Sequence, residues 1–158
     1  MRENKNVVFM NNADQGYPCA MSDSLSQTIE NILTALPSLM TTVNRFLDQH
    51  TVPREAIFRI NLAIEEIVTN IIKYGYDDKH PHAITVDLAL FPETIRLQLK
   101  DYGHPFDPLQ APEPDIHVPL EQRKVGGLGL FLVREIVGRI VYRRENDANI
   151  LEMDIKRQ

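Results

Sequence analysis

The chain has 158 residues, 43% of them hydrophobic and 25% charged, the size and composition of a single domain with one core. Its formal net charge of -5 argues against a general nucleic-acid binder, because neutralising phosphates needs clustered Lys and Arg in excess and no stretch supplies them. Cys19 is the only cysteine, which excludes an internal disulfide and a cysteine-built metal cluster, and the apolar run Val7 to Met10 is too short for a signal-peptide core or a membrane span. A cytoplasmic protein is expected.

Residues 1–20 are polar and aperiodic and read as a loose arm, ending in a short edge strand, ahead of one domain over 21–158. From Ser22, the residues Leu25, Ile29, Ile32, Leu33 and Leu36 recur at helix-like spacing; Pro37 interrupts, and Leu39, Val43, Phe46 and Leu47 resume the period up to Gln49. Two helical pieces are predicted there. Pro53 suits a first helical turn, and Arg54 to Tyr74 contains neither Gly nor Pro before Gly75 stops it, predicting the longest helix. After a polar turn at 77–81, Ala83 to Phe91 and Thr94 to Asp101 alternate apolar and polar residues across Pro92-Glu93, the pattern of a β-hairpin. Tyr102 to Lys124 carries five prolines and no period, and loops of that length are lids or disordered segments. A helix from Leu128 to Val137 follows, then a closing hairpin of Arg139 to Arg144 and Asn149 to Ile155. This order predicts an α+β fold, a two-layer sandwich with helices packed on one face of a mainly antiparallel sheet.

On a helical wheel at about 100° per residue with Glu66 at zero, Asn70 falls near 40° and Lys73 near -20°, one stripe. Ile57, Ile60, Ile64, Ile67, Val68, Ile71 and Ile72 fall between roughly 100° and 240°, the arc of a buried face. A solvated stripe is the ordinary explanation of such polar residues. Against it, Leu62 and Ala63 give the stripe apolar flanks, and Asn is a poor helix former. In a cleft, Asn70 is a neutral oxygen ligand for Mg²⁺, and Glu66, one turn earlier, is placed for a general base. Lys73 offers a point charge to phosphate oxygens, although a Lys near a helix end also suits the macrodipole.

The second strand of the first hairpin ends in Asp101-Tyr102-Gly103. An acceptor-only carboxylate there selects adenine through its exocyclic amine, and Gly103 lets a base approach the backbone. Gly126-Gly127-Leu128-Gly129 precedes an apolar helix whose exposed N–H groups can receive phosphate oxygens. No G-x-x-x-x-G-K-[ST] loop occurs, and no βαβ strand leads into these glycines. Taken singly, each element has a plain explanation as a strand-ending turn or a close helix packing. In this order they form a set.

That set resembles the anti-sigma-factor serine/threonine kinases, compact members of the ATPase superfamily that includes gyrase and histidine-kinase catalytic domains. The likeness covers about Ser24 to Ile155: Glu66-Ile67-Val68-Thr69-Asn70 is similar to the E-x-x-x-N helix motif, Asp101-Tyr102-Gly103 with Pro105-Phe106-Asp107-Pro108 to the first glycine box, and Val125-Gly126-Gly127-Leu128-Gly129-Leu130 to the second. His104-Pro105 after Gly103 departs from the longer D-x-G-x-G box of many members. The resemblance implies a Bergerat-type ATP-binding fold, with Glu66 as catalytic base, Asn70 as Mg²⁺ ligand, Asp101 as adenine reader and a lid from about Pro108 to Lys124. Arg123 or Lys124 would contact the terminal phosphates of ATP.

It further implies a kinase acting on a small anti-anti-sigma (STAS-type) protein, and otherwise sequestering a sigma factor, with transcription as the regulated process and a homodimer as the expected assembly. A nucleotide-gated partner switch without phosphotransfer is the alternative, and retention of Glu66 favours the kinase. A histidine kinase is disfavoured, since no dimerisation helix presents a phosphoacceptor: His50 ends a helix, and His80, His82, His104 and His117 lie in predicted loops. His80-Pro81-His82 lacks a third metal ligand and reads as plain surface.

Overall fold

The computed structural model describes residues 23–110 and 128–158. In chain order these form β1 (Asp23–Glu30), α1 (Leu36–Gln49), α2 (Arg54–Tyr74), β2 (Ala83–Leu90), β3 (Thr94–Asp101), α3 (Leu128–Ile136), β4 (Arg139–Glu145) and β5 (Ala148–Lys156). The strands make one sheet in the order β1-β2-β3-β5-β4, every neighbouring pair antiparallel. The expected α+β two-layer sandwich is what forms.

The inner face of the sheet carries Ile84, Val86, Leu88 and Leu90 of β2, Ile95, Leu97 and Leu99 of β3, and Leu151, Met153 and Ile155 of β5, all in one core with Leu39, Val43 and Leu47 of α1 and Ile60, Ile64 and Val68 of α2. Register explains the layer. Leu88 stands opposite Leu97, and Leu97 opposite Met153, so alternate residues of neighbouring strands stack on the same side. Each such Leu or Ile contributes about 1.5–3 kcal/mol by leaving water. On the outer face the same alternation presents charge: Arg96 forks onto Asp154 (Nε to Oδ1 2.7 Å, Nη2 to Oδ2 3.1 Å), its cross-strand partner, and Arg139 reaches Glu152 at 3.2 Å.

The long helix spans the predicted residues, and the β2–β3 hairpin keeps its predicted boundaries within one residue. The segment from Ser22 is a correction. Instead of a helix it forms β1, paired with β2 from Asp23↔Leu90 to Glu30↔Ala83. The four-residue step from Leu25 to Ile29 fits one helical turn, but it also fits two repeats of a strand with Gln27 between them. Ile32 and Leu33, which completed the helical period, are exposed. Pro37 does not interrupt a helix either: it sits in the first turn of α1, where its missing N–H has no partner to lose.

The closing hairpin turns on Asn146 and Asp147, both with positive φ (49° and 64°), the two-residue turn whose twist matches that of paired strands. The arm over 1–20 and most of the expected lid lie outside the described residues. At the near end of that lid, Pro108–Gln110 form one 3-10 turn capped by Asp107, which accepts the Leu109 N–H at 2.9 Å. No helix among the described residues is long and apolar enough to cross a membrane.

Candidate functional site

The buried arc expected of α2 is buried: Ile60, Ile64, Ile67 and Val68 enter the core, with Ile57, Ile71 and Ile72 packed against it. Ala63 joins that core, fully buried, so it is not the pocket flank its wheel position suggested; Leu62 is half-buried. Glu66 and Asn70 are also half-buried, and neither forms a hydrogen bond or ion pair with another described residue. Among the described residues, then, neither polar side chain is committed to a local partner. Lys73, on the same stripe, is exposed.

α3 brings the second glycine box to this stripe. A Cβ placed on Gly129 would overlap the carboxylate of Glu66, so any larger residue there must push the acid out of its present position. Glu66 and Gly129, far apart in sequence, are therefore neighbours in space. Leu128 begins α3; Arg123, Lys124, Gly126 and Gly127, the remaining residues expected at the phosphates, lie outside the described residues.

The first glycine box is built at the end of β3. Asp101 is 5% exposed, and its Oδ1 accepts the Gly103 N–H at 2.7 Å and Asn149 Nδ2 at 3.0 Å. Its Oδ2 accepts no hydrogen bond from another described residue. Gly103 is itself crowded: a Cβ there would lie 2.9 Å from Asp101 Oδ1 and overlap the carbonyl oxygen of Gly75, the residue that ends α2. The His104 N–H bonds that same carbonyl at 2.8 Å. Helix end and strand end are thereby locked together, which brings Asp101 to the same end of the sandwich as the last turns of α2.

Sequence reasoning missed the residues that brace this turn. Asn149 of β5 stands opposite Asp101 in register, and Tyr76 accepts the Tyr102 N–H at 3.0 Å while its ring stacks on His82, centroids 3.9 Å apart and planes within 8°. Burial pushes the Tyr76 hydroxyl above its ordinary range; the Tyr102 hydrogen bond opposes this, and the charges of Asp101 and Asp78 add to it. The hydrogen bond from His82 holds the Asp78 carboxyl below its ordinary range. His104 pairs with Asp77 at 2.9 Å. His104 thus ties the 76–82 loop to the glycine turn, and no group of three or more possible metal-binding side chains occurs among the described residues. The available signal for Asn149 was a polar residue inside the apolar run Ala148 to Leu151.

The histidine kinase-like ATPase domain model matches residues 29–155. The chain belongs to this family. It is 30% identical over 96 residues to the serine/threonine-protein kinase BtrW of Bordetella bronchiseptica, covering 61% of this chain and 68% of that one. It is 28% identical over 87 residues to the serine-protein kinase RsbW of Listeria monocytogenes, covering 52% of this chain and 55% of that protein. The chain therefore spans little more than half of the Listeria relative. The crystal structure of the RsbU and RsbW domains of Rv1364c from Mycobacterium tuberculosis superposes with a TM-score of 0.61 at 17% identity, over 85% of this chain and 32% of that one, a likeness of fold. The resemblance to the serine-kinase branch drawn from the motifs is borne out by relatives carrying that name.

The residues present fit a magnesium-bound nucleotide. Among the described residues, Asn70 has a neutral side-chain oxygen of the type Mg²⁺ accepts, Asp101 a carboxylate oxygen that accepts no hydrogen bond, and the start of α3 is the kind of helix end whose backbone N–H groups suit phosphate.

Proposed function

We propose that this protein is an ATP-dependent serine/threonine protein kinase and anti-sigma regulator, whose substrate is a small anti-anti-sigma protein of the STAS type and which otherwise sequesters a sigma factor. The observation that carries the reading is the Glu66 carboxylate, unpaired among the described residues and seated against Gly129 at the start of α3. A protein that only bound nucleotide would have no use for a free acid at the phosphate-facing end of a helix.

In this reading Asp101 receives the exocyclic amine of adenine through Oδ2, with Oδ1 already occupied. Asn70 contributes a side-chain oxygen to Mg²⁺, and the backbone at Leu128 and Gly129 faces phosphate oxygens. Bound Mg²⁺ neutralises charge on the transferring phosphoryl group. Glu66 takes the proton of the incoming serine or threonine hydroxyl as the hydroxyl oxygen attacks the terminal phosphorus and the bond to the departing ADP oxygen breaks. A homodimer and a cytoplasmic setting are proposed as parts of the same reading.

Incubating the protein with labelled ATP, Mg²⁺ and the antagonist encoded beside its gene tests this. Glu66→Gln should leave ATP affinity within about twofold and lower transfer about 10²–10⁴-fold, the usual contribution of a general base. Asn70→Ala should weaken Mg-ATP binding. ATP binding by the wild type without transfer to any such partner would replace the kinase with a nucleotide-gated partner switch.

A further inference from the structure

The side chain bracing Asp101 is itself held in one orientation. Asn149, 7% exposed, donates from Nδ2 to Asp101 Oδ1 at 3.0 Å and to the His104 carbonyl at 2.9 Å. Its Oδ1 accepts two hydrogen bonds from β4: the Tyr142 hydroxyl at 2.8 Å and Arg144 Nη1 at 2.7 Å. A side-chain amide has one donor end and one acceptor end. With two donors converging on the oxygen, the nitrogen must face Asp101. A flipped amide would set its NH₂ against a guanidinium and its oxygen against a carboxylate and a carbonyl.

We propose that Asn149, oriented by Tyr142 and Arg144, is a positioning residue that fixes Asp101 so that Oδ2 alone meets the amine of the base. The inference rests on the reading of Asp101 as the adenine acceptor and extends it by assigning base selectivity to the β4–β5 hairpin. Two donors, Gly103 N–H and Asn149 Nδ2, fill Oδ1, so the carboxylate cannot rotate without breaking both. Arg144 Nη1 also donates to the Gly103 carbonyl at 3.1 Å, so the same hairpin braces the turn that the base approaches.

The test compares ATP with purine ribonucleoside triphosphate, which keeps the sugar and phosphates and lacks the amine, by calorimetric titration of the full chain in Mg²⁺. The wild type should prefer ATP by about 10–100-fold, the range for a hydrogen bond to a charged acceptor. Asn149→Asp is isosteric and still accepts from Tyr142 and Arg144, but it sets a second carboxylate against Asp101; the preference should fall below about threefold with the affinity for the amine-free nucleotide nearly unchanged. Arg144→Met and Tyr142→Phe, each removing one orienting donor, should lower the preference by about two- to fivefold. Retention of the wild-type preference by Asn149→Asp, or an equal loss for both nucleotides, would overturn the positioning role while leaving the ATP site standing. Should Asn149→Asp fail to fold, an unchanged preference in both other variants overturns it equally. If the wild type binds neither nucleotide, the ATP reading itself is what fails.

Discussion

Two buried aspartates on adjacent strands face opposite circumstances. Asp101, at the end of β3, has one oxygen filled by two neutral donors, while the other accepts no hydrogen bond from another described residue. Asp87, in the middle of β2 on the outer face of the sheet, is 7% exposed, with Ser26 and Gln98 as hydrogen-bond donors, the latter at a long 3.5 Å, and an Oδ1 that meets no donor among the described residues. Burial pushes the Asp87 carboxyl above its ordinary range, and its hydrogen bonds and Lys100 only partly oppose this. The difference lies in the donors: two ordered donors hold one oxygen of Asp101, Asp87 has an oxygen with none, and burial alone does not tell the two apart.

The largest effect is expected at the tightest contact of the nucleotide end. Gly129→Ala must displace the Glu66 carboxylate, and a misplacement of this kind should lower phosphotransfer by about 10²-fold with the melting temperature little changed, as single-turnover assays would read. Asp101→Asn should reduce ATP affinity about 10–100-fold in titration calorimetry, because an amide turned to keep its oxygen on the Gly103 N–H presents NH₂ to the base. The matching change on the outer face should do the reverse: Asp87→Asn should leave ATP affinity unchanged and raise the melting temperature by a few degrees at neutral pH. The sign follows from the raised pKa of Asp87. Its contribution to stability is complete below the ordinary carboxylate value and is lost as pH rises through the folded value. The advantage of Asp87→Asn should therefore shrink as melting is repeated toward pH 4, and an advantage that grows in acid would overturn the raised pKa of Asp87. Smallest is Tyr76→Phe, which removes the acceptor of the Tyr102 N–H and should weaken ATP binding by about two- to fivefold.

The sandwich and half of its site were legible because single elements carried them. Glu66 and Asn70 share a face by helical geometry alone, and the inner-face residues of β2 and β3 announce themselves by alternation. Where two periods coincide, legibility fails: Leu25 and Ile29 satisfy helix and strand together, and pairing with β2 decided between them. It fails again where a site is completed by register. Asn149 reaches Asp101 only because β5 pairs with β3 at that residue, and nothing local to Asn149 specifies that neighbour. Ala63 shows the converse, a wheel position between core and stripe that tertiary packing resolved into core.

The two-residue turn at Asn146 and Asp147 has a consequence for how this gene can vary. Arg144 and Asn149 are cross-strand partners flanking that turn, and Tyr142 lies two residues farther back on the same face as Arg144. Inserting one residue between them would shift the strands by a single step and turn either the Asn149 amide or its two orienting donors to the opposite side of the sheet. In the proposed reading the length of this turn therefore sets whether the Asn149 amide meets Tyr142 and Arg144.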